Sequence, residues 1–191
     1  SETFIRSNLA VMPFRKVAFF GDEYPLSLTR FGQTAYGIAT LISKFCTRLR
    51  FQRLSTIPTS VIAFCLIRWY KPDVILAEFG FHAVRVMDAA RWCGLPLVVH
   101  FRGSDASADR RLKLLRERYG RLIRIASAFV VKSRPMQQVL EKLGASSKRI
   151  TISPSGADPE VFVGADPAAA PPNVLFVGRL VEKKGPLDAL D

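Results

Sequence analysis

The residues best placed for chemistry are Arg-Gly-Ser-Asp (102–105), which follow the apolar run 95–101. Such a run is typical of a buried parallel strand, and ligands in open α/β sheets bind at the carboxyl ends of the strands. Gly103 can take a positive φ or let a ligand approach the backbone, while Ser104 and Asp105 supply a hydroxyl and a carboxylate. The alternative is an ordinary loop whose polar residues cap the next helix.

The cysteines and histidines argue against a metal centre or a disulfide framework. Cys46, Cys65 and Cys93 are widely spaced, and the chain has only two histidines. This pattern suits a reducing cytoplasm. His82 has no carboxylate or nucleophile at a telling spacing, so we interpret it as a packing or loop residue rather than a catalytic base.

Strands and helices must position these groups, and the hydrophobic periodicity predicts that they alternate. Helices are predicted at 1–12, 34–70, 82–93, 109–126 and 133–143, and strands at 17–20, 73–78, 95–101, 128–132 and 149–153. The pattern predicts an α/β domain over 1–153, a parallel sheet with helices on both faces. Because a strand should precede the first helix in such a sheet, we expect that the first strand is missing.

The composition changes after this domain. Residues 154–172 are rich in proline, glycine and alanine, which predicts an interdomain linker. Residues 173–191 then have the pattern of a strand, a Gly-Arg loop and the beginning of a helix. We therefore expect the truncated opening of a second domain there.

The net charge of the chain limits the classes of partner that it is expected to bind. Its 191 residues are 49% hydrophobic and carry a net charge of +12, which favours nucleic acid, sugar phosphates or an anionic membrane. The basic amphipathic stretches 34–53 and 109–126 could lie on anionic lipid, or be helices that pack on the core with a solvated basic side. No apolar run is long enough to span a bilayer.

Five segments in order, spread over nearly the whole chain, resemble family 4 retaining glycosyltransferases of the GT-B fold. They are Ser-Glu-Thr-Phe-Ile (1–5), Asp-Val-Ile-Leu-Ala-Glu-Phe-Gly (73–80), Leu-Pro-Leu-Val-Val-His-Phe-Arg-Gly-Ser-Asp (95–105), Ser-Gly-Ala-Asp-Pro-Glu-Val-Phe (155–162) and Phe-Val-Gly-Arg-Leu-Val-Glu-Lys-Lys-Gly (176–185). The resemblance implies two Rossmann-like domains across a cleft, with the acceptor held mainly by the first and the nucleotide sugar mainly by the second.

The resemblance also implies roles for single residues in the second domain and at the amino end. Arg179 and Lys184 match the family's contacts to the donor diphosphate, and Gly178 lets the backbone come close. A guanidinium fork and an ammonium can neutralise charge on the leaving nucleoside diphosphate, although both could be solvated charges at a helix start. Ser1 and Thr3 fall on the acceptor side.

The loop at 102–105 departs from the family in one position. The family motif reads His-Gly-x-Asp, so Gly103 and Asp105 fit, with Ser104 between them in the cleft loop, but Arg102 stands where the histidine is usual. We predict catalytic roles for Arg102 and Asp105. An arginine can hold an anion but cannot accept a hydrogen bond as a neutral imidazole does. By strand alternation His100 lies on the same face as Arg102.

The resemblance implies an enzyme that moves a sugar from a nucleotide-diphosphate sugar to a glycan or lipid-linked acceptor. We expect no cofactor, no metal because the first domain lacks an Asp-x-Asp motif, and no nucleic-acid partner. We also expect a cytoplasmic protein, peripheral on the inner face of a membrane, and an inactive fragment because the family's paired glutamates lie beyond this sequence. The alternatives are a basic module that binds nucleic acid or anionic lipid, and a nucleotide-sugar epimerase of the same fold.

Overall fold

The computed structural model describes most of the chain before residue 157 and short pieces after it. The described residues are 2–18, 30–49, 51, 54–103, 109–156, 159–161, 163–164, 166–169, 171, 175–178, 180 and 185–187. The chain divides into two compact units, Ser1–Ser155 and Gly156–Asp191. The predicted boundaries of domains and linker stay a prediction.

The first unit is built of six α-helices and four strands in its described part. The helices are α1 Glu2–Val11, α2 Arg30–Arg48, α3 Ile57–Tyr70, α4 Gly80–Trp92, α5 Asp109–Ile125 and α6 Arg134–Lys142; the strands are β1 Ile75–Glu78, β2 Leu97–His100, β3 Ala128–Val131 and β4 Ile150–Ile152. Short 3₁₀ turns lie at Leu54–Thr56 and Ser147–Arg149, and a third, Pro167–Ala169, lies in the second unit.

The four strands form one parallel sheet in the order β1-β2-β3-β4. One helix connects each neighbouring pair, namely α4, α5 and α6. Parallel strands need such crossovers because the carboxyl end of one strand and the amino end of the next lie on opposite sides of the sheet. The predicted α/β class with a parallel sheet is therefore confirmed, and the carboxyl ends of β1 and β2 lie side by side.

One face of the sheet forms the core with these helices. Leu97, Val99 and Phe101 alternate along β2 and its continuation and are almost fully buried, together with Met87 of α4 and Leu122 of α5. Each such side chain contributes roughly 1.5–3 kcal/mol when it leaves water. The intervening residues, such as Val98, point to the opposite face and are less buried. That second face carries the polar groups described below.

The helix predicted over 34–70 is two helices in the structure. α2 ends at Arg48, and α3 begins at Ile57 with Pro58 in its first turn. Proline has no backbone N–H and its ring clashes with the carbonyl four residues earlier, so one continuous helix cannot pass through Pro58 undisturbed. The prediction was wrong because the apolar periodicity continues across this break.

Two predicted strands are not formed where the structure describes them. Val17 and Ala18 have no strand conformation, while residues 19–20 lie outside the described part. Residues 175–177 of the second unit are likewise irregular. A strand is stabilised by hydrogen bonds to a neighbouring strand, and the described residues provide no neighbour for either segment.

Candidate functional site

Four titratable side chains meet at the carboxyl edge of the sheet. Glu78 ends β1, His100 ends β2 in register with it, Arg102 lies two residues further, and Lys132 follows β3. Alternation along each strand places all four on the face opposite the core. We call Glu78, His100, Arg102 and Lys132 the edge cluster.

The centre of the edge cluster is a two-pronged ion pair. Arg102 Nε donates to Glu78 Oε2 at 2.5 Å, and Arg102 Nη2 donates to Glu78 Oε1 at 2.9 Å. The Arg102 side chain is only 4% exposed and that of Glu78 17%. Fork-on-fork geometry of this kind fixes both side chains, so the pair sets the direction of the guanidinium.

The Glu78 carboxyl is held in its ionised form. Burial alone would raise its pKa, but hydrogen bonds from His100 and Arg102, and the positive charge on those groups, lower the pKa from 4.5 to about 2. Glu78 is therefore a carboxylate at any physiological pH. It can accept hydrogen bonds but cannot act as a general acid there.

His100 presents its second ring nitrogen without a partner. Its Nδ1 lies 3.3 Å from Glu78 Oε2, and the residue is 8% exposed. Nε2 is shielded from solvent and has no hydrogen-bond partner among the described residues. In the neutral ring whose Nδ1–H donates to the carboxylate, Nε2 carries the lone pair and can accept a hydrogen bond or a proton; in the protonated ring both nitrogens donate, and the positive charge adds to that of Arg102 on Glu78.

Lys132 adds a second cation beside the ion pair. Partial burial lowers its pKa, the charge of Arg102 lowers it further, and Glu78 raises it. The Lys132 ammonium donates to the Ser155 hydroxyl. The edge cluster thus holds two basic side chains, Arg102 and Lys132, against one carboxylate, which favours an anionic ligand.

The turn between β1 and α4 brings the ends of the strands together. Phe79 N–H donates to the His100 carbonyl at 2.9 Å, and Phe79 takes a φ of 71°, unusual for a residue with a Cβ. A Cβ added at Gly80 would overlap Phe101 Cε1 and lie 2.7 Å from Phe101 Cζ, so only glycine lets α4 begin this close to β2. His82 is also held here, with Nδ1 2.9 Å from the Glu78 carbonyl.

Comparison with known families identifies the chain. The family model described as Glycosyltransferase Family 4 matches residues 19–161, which is most of the sequence. The chain belongs to glycosyltransferase family 4. Its sheet and helices are the Rossmann-like α/β arrangement of a GT-B domain, and membership of family 4 implies a sugar donor and an acceptor in general. No curated protein matches the sequence.

The family 4 residues predicted from the sequence are only partly within the described structure. Arg102 lies in the edge cluster, and Gly103 has a φ of 131°, which is one of the two uses of a glycine that the sequence suggested there. Gly178 is exposed in the second unit. The remaining predicted residues lie outside the described part, in whole or in their side chains, and their roles stay predictions: Ser1, Thr3, Ser104, Asp105, Arg179 and Lys184.

Sequence reasoning missed Glu78 and Lys132. Each stands at or just after the end of an apolar strand run, and that position was the available signal. Glu78 was read only as the last residue of a strand. Its pairing depends on the register of β1 against β2, which spacing along the chain does not contain.

Two further observations bear on a family 4 enzyme. Where the chain is described, no helix has the length and apolar character needed to cross a membrane. Among the same residues no group of three or more His, Cys, Asp or Glu side chains could hold a metal ion.

Proposed function

We propose that the complete enzyme transfers a sugar from a nucleotide-diphosphate sugar to a glycan or lipid-linked acceptor with retention of anomeric configuration and without an essential metal. The observation that carries the proposal is the edge cluster at the carboxyl ends of β1 and β2, in a chain of family 4. The donor diphosphate is assigned to Arg179 and Lys184, as the resemblance implies, with Gly178 allowing close approach.

Within this proposal, His100 and Arg102 together take the role of the histidine that is usual in the family motif. Arg102 is bound by Glu78 through two hydrogen bonds, so its role is to hold the start of the loop at Gly103 and to direct positive potential towards the substrate. His100 Nε2 supplies the neutral acceptor that an arginine lacks, for a sugar hydroxyl. Asp105 completes the loop as a further acceptor.

The test is product analysis with the complete enzyme that contains residues 1–191. Nucleotide sugars are supplied one at a time with glycan and lipid-linked acceptors, and nucleoside diphosphate release, the anomeric configuration of the product and any epimerised sugar are measured. Transfer with retention supports the proposal, whereas epimerisation without transfer or inversion contradicts it. Loss of activity in a chelator that only a divalent ion restores contradicts metal independence.

The two histidines of the chain provide a matched pair for the assay. His100→Phe keeps the volume of a ring but removes Nε2, so turnover is expected to fall by about tenfold to a hundredfold. His82→Phe, in the turn beside the cluster, is expected to retain most activity. Equal losses, with both proteins folded, would remove His100 from the substrate-contacting group.

We also propose that α2 lies against an anionic membrane on its inner face, near a lipid-linked acceptor. On α2 the side chains of Leu41 and Phe45 are 65% and 62% exposed, and Lys44 is exposed between them. Tyr119 and Leu122 of α5 are instead buried in the core, so the apolar face of α5 is not available to lipid. An exposed apolar face flanked by cations favours a membrane surface.

A further inference from the structure

A polar cavity lies among the helices, and none of the residues that line it belongs to the edge cluster. Its volume is about 120 Å³, and its walls come from α2, α3, α4, α5 and the 3₁₀ turn Leu54–Thr56. Six hydroxyl side chains line it: Thr40, Ser43, Thr47, Ser55, Thr56 and Thr59. Three cations line it as well, Lys44, Arg85 and Arg118, and none of the described residues on its wall is acidic.

The volume restricts what the cavity can hold. Sites for drug-sized ligands occupy roughly 300–1,000 Å³, so a nucleotide sugar does not fit here. The space is large enough for several waters or one small tetrahedral ion.

Two hydroxyls in the wall have no partner in the described structure. Thr40 Oγ1 and Ser43 Oγ are shielded from solvent and make no hydrogen bond with the described residues. The Thr40 residue is only 2% exposed. Shielded polar groups are normally satisfied, and an unsatisfied one costs stability. Their spacing of three, with Thr47 four further on, places all three on one face of α2.

The charge in the wall is positive and partly desolvated. Arg118 Nη2 donates to Thr47 Oγ1 at 2.6 Å and to Ser55 Oγ at 2.7 Å, so neutral hydroxyls hold the guanidinium in place. Burial lowers the pKa of Arg118; Glu117 raises it, and the charge of Arg85 lowers it.

Asp88, the carboxylate bound by the wall residue Thr56, is already paired on both oxygens. Asp88 Oδ1 accepts from Arg121 and Oδ2 accepts from Thr56 Oγ1, both at 2.7 Å. An anion inside the cavity would relieve the repulsion among its cations and give Thr40 and Ser43 an acceptor.

We propose that this cavity binds a single phosphoryl group, held by the hydroxyls of Thr40 and Ser43 and by the charges of Lys44, Arg85 and Arg118. The group is either free phosphate or the terminal phosphate of a phosphomonoester, and the lining residue Lys44 is exposed to solvent. The site is independent of the donor diphosphate and of the sugar-transfer proposal.

The test is thermal denaturation and calorimetric titration of the purified protein with inorganic phosphate, and separately with glycerol phosphate, at matched ionic strength. A ligand that binds the folded state raises the melting temperature. Arg118→Gln is expected to weaken phosphate binding by roughly tenfold or more, and Arg116→Gln, an exposed cation on the same helix, to leave it unchanged. Equal effects of the two variants, or no stabilisation of the parent protein by either compound, would overturn the site.

Thr40→Val separates binding from a structural role. Valine has nearly the same shape and removes a hydroxyl that has no partner, so the melting temperature without phosphate should not fall. Phosphate affinity should fall by about fivefold. A lower melting temperature with unchanged phosphate affinity would contradict the proposal. Stabilisation by inorganic phosphate alone would identify free phosphate, and stabilisation by both compounds would identify a phosphomonoester end.

Discussion

At the scale of single residues, the arginine at 102 is explained by the glutamate at 78. The two side chains come from neighbouring strands whose register places Glu78 opposite His100, and the guanidinium reaches back to the carboxylate with two donors. A buried arginine without this carboxylate would be costly. Arg102, which stands where the family motif has a histidine, is therefore stabilised by Glu78, a residue outside the motif.

This ion pair predicts a specific dependence of stability on pH. Glu78 has a folded pKa of about 2 against 4.5 when unperturbed. Between these values the unfolded state binds more protons, so the contribution of Glu78 is present above about pH 4.5 and is lost as the pH falls towards 2. It amounts to about 3 kcal/mol.

Glu78→Gln should lower the free energy of unfolding at pH 7 and flatten its decline between pH 4.5 and 2, as measured by urea denaturation. Glu141→Gln is the control, since Glu141 on α6 accepts a hydrogen bond from the uncharged Gln137. If the free energy of unfolding depends on pH in the same way for Glu78→Gln and the parent protein, the partners of Glu78 do not lower its pKa.

A second residue prediction concerns Arg179, which resemblance places on the donor diphosphate. In the complete enzyme Arg179→Ala should lower turnover more than donor binding, because charge on the leaving group grows in the transition state. The loss should be on the order of 3 kcal/mol, or about a hundredfold in rate.

Arg179→Lys should recover only part of this, since it keeps the charge without the fork. Steady-state kinetics with varied donor decide the matter. Turnover near that of the parent for a folded Arg179→Ala enzyme would remove the Gly-Arg loop from the site.

At the scale of elements, the turn from β1 into α4 controls the geometry of the edge cluster. The α4 helix starts at Gly80, directly against Phe101 of the core, and the φ of Phe79 is the local cost of that close start. The same turn holds Glu78 in line with His100. Packing at the start of α4 therefore positions the face of the sheet that carries the edge cluster.

Gly80→Ala and Gly120→Ala should have opposite effects on stability. At Gly80 the new methyl meets the buried Phe101 ring, so the free energy of unfolding should fall by about 2 kcal/mol or more. At Gly120, inside α5, the nearest atom is Arg124 Nη1 at 3.9 Å, so the better helix propensity of alanine should stabilise by roughly 0.5–1 kcal/mol. Thermal denaturation measures both, and a stabilised Gly80→Ala protein would contradict the close packing.

The elements also show what the sequence could predict. The three βα units from β1 to β4 were predicted from hydrophobic periodicity, and glycines with a positive φ follow two of their helices, Gly94 at 66° and Gly144 at 100°. The break between α2 and α3 was missed because periodicity continues through it. Arg102 was predicted from its place after a strand, whereas the Glu78 carboxylate required knowledge of which strands pair and in what register.

At the scale of the whole molecule, the net charge of +12 is distributed in two ways. Some cations serve the interior, as Arg121 pairs with Asp88 and Arg118 lines the hydroxyl cavity. Others, such as Lys44, remain exposed beside apolar side chains of α2. Some of the basic side chains of this protein therefore make contacts within the fold, and others give its surface a positive potential.

The exposed face of α2 predicts how binding to lipid should divide between charge and apolar contact. Sedimentation should show binding to vesicles that contain anionic lipid, weaker binding to neutral vesicles, and weakening with salt as the charges are screened. Phe45→Ser should lower the partition coefficient into anionic vesicles by about tenfold, because one large apolar side chain no longer enters the interface. Trp69→Ser on α3 removes another exposed aromatic, 81% exposed, and should have little effect. If both substitutions weaken binding equally, or if neutral and anionic vesicles bind alike, α2 is not the surface that meets the membrane.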